Sequence, residues 1–215
     1  GEDAAGVPIL KIYNNEQSIP VPIHRIMIVA NPSSPVSLST DDTLSLEAKG
    51  YDEAGNFVRN VPVQWGIQGD IGVLSGMRSA MVTFDPRKPG TGSIIARDGK
   101  GHTAQLDNIT VTPGVLHHLI VTDMDDNPIQ HVSLIAGDTI ALSADGYDAD
   151  NNPLGQVQAN WGVNGDIGTL SDSVGTTATF SAMRIGTGSI VITDGKQHSG
   201  CTGIIAVNSG ELAYL

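Results

Sequence analysis

The residues best suited to chemistry in this chain are carboxylates. Asp123, Asp125 and Asp126 stand with Asn127 inside five positions, and such hard oxygen donors are what a calcium ion takes. Asp148, Asp150 and Asn152 form a second group with the D-x-D-x-N spacing that opens an EF-hand loop. Pro153 stands at position six, where that loop needs glycine, and position twelve is Ala159 instead of glutamate, so an EF-hand is excluded. Two readings compete for both groups: calcium stiffening a junction, placed at Asp123, Asp125 and Asp126, or solvated turn carboxylates that keep the chain soluble. No cofactor is expected, and calcium is the most plausible ligand that the residues offer.

The other reactive side chains suggest less. His117 and His118 are adjacent on an expected strand, where neighbours face opposite sides, so they are not expected to clasp one metal together. His102 and His198 occupy equivalent places in an internal repeat, which points to a shared structural position near a turn. Cys201 is the single cysteine and rules out an internal disulfide. It reads as a small buried or half-buried strand residue, with a reactive or intermolecular thiol as the alternative. There is no G-x-S-x-G elbow, H-E-x-x-H, C-x-x-C or phosphate-binding loop. No catalytic residue is assigned, and the chain is expected not to be an enzyme.

The elements that position these residues are set by the repeat. Trp65, Gly66, Gly69, Asp70, Ile71, Gly72, Leu74 and Ser75 return as Trp161, Gly162, Gly165, Asp166, Ile167, Gly168, Leu170 and Ser171, each 96 positions on. Tyr51 and Asp52 recur as Tyr147 and Asp148, Phe84 as Phe180, and Asp98 as Asp194. A period near 100 is too long for a solenoid unit and suits a whole sandwich domain. At the front the offset falls to 94, where His24 matches His118, so a surface loop of different length is expected between residues 31 and 41.

Residues 43–48 and 139–144 alternate in the manner of half-buried strands. The Asp52–Asn56 and Asp148–Pro153 clusters read as hairpin turns. Trp65 and Trp161, the only tryptophans, share alternation parity with Val63 and Ile67 and with Ala159 and Val163, which marks them as core and not as sugar platforms.

Composition agrees with many short strands and tight turns: 40% hydrophobic residues but 4% aromatic, with 26 glycines and 11 prolines. A net charge of -12, from 23 acidic and 11 basic residues, argues against nucleic acid as a partner. No run of 18 apolar residues suggests membrane insertion by this chain. The expected fold class is therefore all-β: two tandem immunoglobulin-like β-sandwich domains, residues 24–114 and 115–209, with an extended arm over 1–23 and the start of a third repeat or a terminal strand over 210–215.

The YDxxGN-type turn at Tyr51–Asn56, the Trp65–Ser75 motif, the strand ending in Phe84 and the run Gly90-Thr91-Gly92-Ser93-Ile94 together resemble the bacterial immunoglobulin-like repeats of invasin- and intimin-type surface adhesins. The resemblance covers residues 24–208. It implies extracellular, cell-surface display and rod-like stacking of repeats. The role expected of the chain is structural and adhesive, with a host or surface glycan or protein receptor as an expected partner. The second repeat departs from the pattern at Asn151-Asn152-Pro153, where the first has Gly55-Asn56-Phe57, which leaves its turn geometry open.

In the arm, Val7, Ile9, Leu10, Ile12 and Tyr13 form an apolar, β-prone segment. It reads either as the last strand of a preceding module or as a strand added to another subunit's sheet edge, which would join copies head to tail into a filament. Two alternatives share the fold: a carbohydrate-binding accessory module, whose exposed aromatics would come from Tyr13, Tyr51, Phe57, Tyr147 and Tyr214, and a virion surface or tail module. The Asn108-Ile109-Thr110 sequon permits glycosylation.

Overall fold

The computed structural model describes residues 21–31, 33 and 36–210, and every regular element among them is a β-strand. None is a helix long and apolar enough to cross a membrane.

The first repeat contributes β1 (Arg25–Asn31), β2 (Ser37–Ser39), β3 (Leu44–Tyr51), β4 (Phe57–Asn60), β5 (Val63–Gln68), β6 (Gly72–Leu74), β7 (Arg78–Ser79), β8 (Met81–Pro86), β9 (Gly90–Arg97) and β10 (Thr103–Thr112). One sheet runs β1-β3-β8-β6, with β4 also on β3, and the facing sheet runs β2-β10-β9-β5-β7. All ladders are antiparallel except β2 on β10. With β1, β3, β8 and β6 as A, B, E and D, and β5, β9 and β10 as C, F and G, this is the strand order of an immunoglobulin-like sandwich.

The second repeat reproduces it with β11 (His118–Thr122), β12 (His131–Ile135), β13 (Thr139–Tyr147), β14 (Pro153–Gln156), β15 (Ala159–Asn164), β16 (Gly168–Leu170), β17 (Val174–Gly175), β18 (Thr177–Ala182), β19 (Gly186–Thr193), β20 (Ser199–Cys201) and β21 (Ile204–Asn208). Its sheets run β11-β13-β18-β16 and β12-β21-β19-β15-β17, with β14 on β13 and β20 on β19.

Alternation explains each core. In β3, Leu44, Leu46 and Ala48 are fully buried while Ser45 faces solvent, and Leu44 and Leu46 lie opposite Phe84 and Val82. Trp65 and Trp161 are buried, and each indole Nε1 donates to a strand-edge carbonyl, that of Ser79 at 2.9 Å and that of Gly175 at 2.8 Å. An unpartnered buried N–H would cost about 1–3 kcal/mol, so these bonds make the tryptophan core tolerable. The glycine of the Ile-Gly pair is equally constrained: a Cβ at Gly72 or Gly168 would meet the carbonyl of Asp85 or Ser181 and the ring of Phe84 or Phe180.

One strand departs from expectation. In β13 the outward positions Ser143 and Asp145 are buried as well as Leu142 and Ala144. For Asp145 the reason is polar pairing, since the buried Thr122 hydroxyl donates to its carboxylate, whereas the buried Ser143 hydroxyl has no hydrogen-bond partner among the described residues.

Candidate functional site

Five loops share one device. An aspartate at position i accepts the backbone N–H of residue i+4, an Asn or His, at 2.7–3.2 Å, while its own N–H donates to the carbonyl of that same residue. The pairs are Asp52 with Asn56, Asp98 with His102, Asp123 with Asn127, Asp148 with Asn152, and Asp194 with His198. The i+4 side chain closes the loop, Asn through Nδ2 and His through Nδ1, the latter at 2.5 Å from Asp98 and 2.7 Å from Asp194. In the three Asp–Asn loops residue i+3 is left-handed: Gly55, Asp126 and Asn151, with φ of 85°, 61° and 64°. Asn151 therefore takes the conformation of Gly55, and the second repeat keeps the turn of the first, because asparagine tolerates positive φ.

This device decides where the anticipated ligands point. The Asp123 Oδ1 is occupied by the N–H groups of Asn127 and Asp125, both at 2.9 Å; the Asn127 N–H and side chain, and then the Asp125 N–H, hold its carboxyl below the usual range. Asp125 and Asp126 are exposed, and the loop lies at the far end of β11 from the inter-repeat junction, not near it. Among the described residues no three His, Cys, Asp or Glu side chains converge as metal ligands. Val7, Ile9, Leu10, Ile12, Tyr13 and Tyr214 lie outside the described residues.

The second carboxylate group sits at the junction. Asp148 is not a solvated turn carboxylate: it is fully buried, and it ties the repeats together. Its Oδ2 accepts the Thr40 hydroxyl at 2.7 Å, the Gly114 N–H at 3.0 Å and the Asn152 Nδ2 at 2.9 Å; its Oδ1 accepts the N–H groups of Asp150 and Asn152. Burial pushes this carboxyl up, but the Thr40, Gly114 and Asn152 donors outweigh it and hold it well below the usual carboxylate range. Asn152 Nδ2 also donates to the Arg87 carbonyl at 2.9 Å, Arg87 approaches Asp150 at 3.7 Å, and the Val115 N–H donates to Asp41 at 2.7 Å. The turn after β2, the residue after β8 and the linker after β10 thus receive the β13–β14 hairpin. Among the described residues, Asp52, the equivalent of Asp148, bonds only inside its own loop.

Two other expectations need correction. His117 precedes β11, so strand alternation does not separate it from His118; the two Nδ1 atoms are 3.4 Å apart, and His118 stacks on Tyr147. Cys201 lies on β20 as a strand residue but is exposed. Of the aromatics considered as sugar platforms, Phe57 is exposed and sits edge-on to Tyr51, whereas Tyr51 and Tyr147 are half-buried. His102 and His198 do share one structural place, against Asp98 and Asp194. Asn108 is exposed at a bulge in β10 with φ of 58°.

No family model matches the chain, and no curated protein matches it. Among solved structures it is similar to a surface-layer protein, SbsC, at 20% identity and a TM-score of 0.34, over 89% of this chain and 29% of that one. It is similar to FdeC, an adhesin of Escherichia coli, at 16% identity and a TM-score of 0.38, over 91% of this chain and 67% of that one. It is also similar to a C-terminal 282-residue fragment of intimin, crystallised with the intimin-binding domain of its translocated receptor, at 15% identity and a TM-score of 0.33, over 84% of this chain and 63% of that one. The chain spans only 29% of the length of the SbsC structure.

Proposed function

We propose that this chain is a non-catalytic structural and adhesive module of an extracellular, cell-surface repeat protein, a spacer whose successive sandwiches are fixed end to end. The observation that carries the reading is the buried Asp148 carboxylate, which spends two of its hydrogen bonds on Thr40 and Gly114 of the preceding repeat and linker. A flexible tether would leave that carboxylate in water; burying an ion costs free energy unless its lone pairs are satisfied, so the joint favours one arrangement. The motif resemblance to adhesin repeats supports the surface assignment.

Protease shaving and antibody labelling of intact source cells test the location. Labelling of intact cells is expected; labelling only after lysis overturns the reading. Head-to-tail self-association through Val7–Tyr13 extends it, and sedimentation of the full chain against a chain lacking residues 1–20 tests that extension. Concentration-dependent growth confined to the full chain is expected, and two monomers at high concentration refute it.

A further inference from the structure

The outer face of the β7-β5-β9 sheet carries a feature that the repeat itself does not need. Gln64 on β5 is in register with Arg78 on β7 and with Arg97 on β9, so the three form a row across adjacent strands on one face. Strand spacing sets the two arginine Cα atoms roughly 10 Å apart. All three side chains are exposed, and they line one recess of about 440 Å³ with Pro62 and Gly99.

Neither guanidinium has a carboxylate partner among the described residues, although the chain carries 23 acidic residues; Arg87 and Arg184, by contrast, pair with Asp85 and Asp166. Asp98 also lines the recess, but its oxygens accept from Lys100 N, His102 N and His102 Nδ1 within their own loop. The second repeat is an internal control. At the same register it has Asn160 flanked by Val174 and Thr193. The sandwich forms there without the arginines, so stability does not demand them.

We propose that Arg78, Gln64 and Arg97 form a binding site for an oxyanion, carboxylate or sulfate, carried on a monosaccharide-sized group. Two guanidinium forks suit a planar or tetrahedral oxyanion, the Gln64 amide offers a donor and an acceptor to neighbouring hydroxyls, and Pro62 supplies apolar wall. The volume lies in the range of small-molecule sites. An acidic peptide added as a strand is disfavoured, because the adjacent edge strand β7 is only two residues long and offers little backbone. The site is on the first repeat alone and is separate from the inter-repeat joint.

The test is amide and arginine side-chain NMR of the full chain titrated with sodium glucuronate, glucose 6-sulfate and uncharged glucose, repeated with an oligoglutamate peptide. The variant R78V/R97T installs the residues that the second repeat uses at these positions, so it retains the fold, which its unchanged melting point checks. Saturable shifts at Gln64, Arg97 and Gly99 with one or both anionic sugars are expected, weakened at least tenfold in the variant and absent with glucose; the two sugars separate carboxylate from sulfate. Equal binding of glucose, tighter binding of the peptide, an unaffected R78V/R97T or no saturation in the millimolar range overturns the proposal.

Discussion

The Thr40 hydroxyl lies 2.7 Å from the Asp148 carboxylate, a buried bond between residues 108 positions apart that joins one repeat to the next. Removing the charge leaves Thr40, the Gly114 N–H and the loop N–H groups facing a weaker acceptor or none. Asp148→Asn or Asp148→Ala is expected to destabilise the joint and its hairpin by about 1–3 kcal/mol, read by chemical denaturation. Asp52→Asn, whose hydrogen bonds among the described residues stay inside its own loop, should have the smaller effect; equal losses would remove the special status of Asp148.

The same carboxylate sets an acid limit. Its folded pKa lies below the unfolded value of about 3.9, so its stabilisation is fully present above about pH 4 and is lost as the pH falls through the lower folded value. Asp194 behaves in the same sense: the His198 side chain, then the Lys196 N–H, hold its carboxyl down to about 2. Carboxyl carbon NMR should show Asp194 still ionised at pH 3, with its loop loosening between about pH 4 and pH 2. A midpoint near 4 would contradict the loop geometry.

Gly72→Ala and Gly168→Ala each force a Cβ into a carbonyl and a buried phenyl ring. Each variant is expected to lose several kcal/mol, about 3 or more, in thermal melts, whereas Gly66→Ala, with open space around it, should be nearly neutral. Comparable melting points for Gly66→Ala and Gly72→Ala would show that the motif glycine is not a packing requirement.

Cys201 is exposed on β20. It should react fully with a thiol reagent in native buffer, as fast as in denaturant to within about tenfold. Protection until unfolding would restore the buried position expected from sequence.

The fold was legible because its signals are local. Alternation marked β3 and β13, and the two tryptophans with their flanking glycines marked the core. The Asp–Asn and Asp–His spacing of four was also present in the sequence five times, and read together it identifies the stapled loops. The joint was not legible, because burial of Asp148 depends on Thr40 and Gly114 arriving from the other repeat, which no local spacing encodes. The His117–His118 contact was missed for a related reason: β11 starts one residue later than the pattern suggests. Burial of Asp145 depends on Thr122, again a partner from another strand.

The most direct test of a fixed joint is the distance distribution between spin labels at the exposed Cys201 and at Met27→Cys on β1, measured in otherwise unaltered chain and in Asp148→Ala. Met27 is 42% exposed, so the label does not disturb the core. One narrow distance that broadens in Asp148→Ala is the expected result. A broad distribution in the unaltered chain, or a narrow one that Asp148→Ala leaves unchanged, would contradict a joint held by the Asp148 carboxylate.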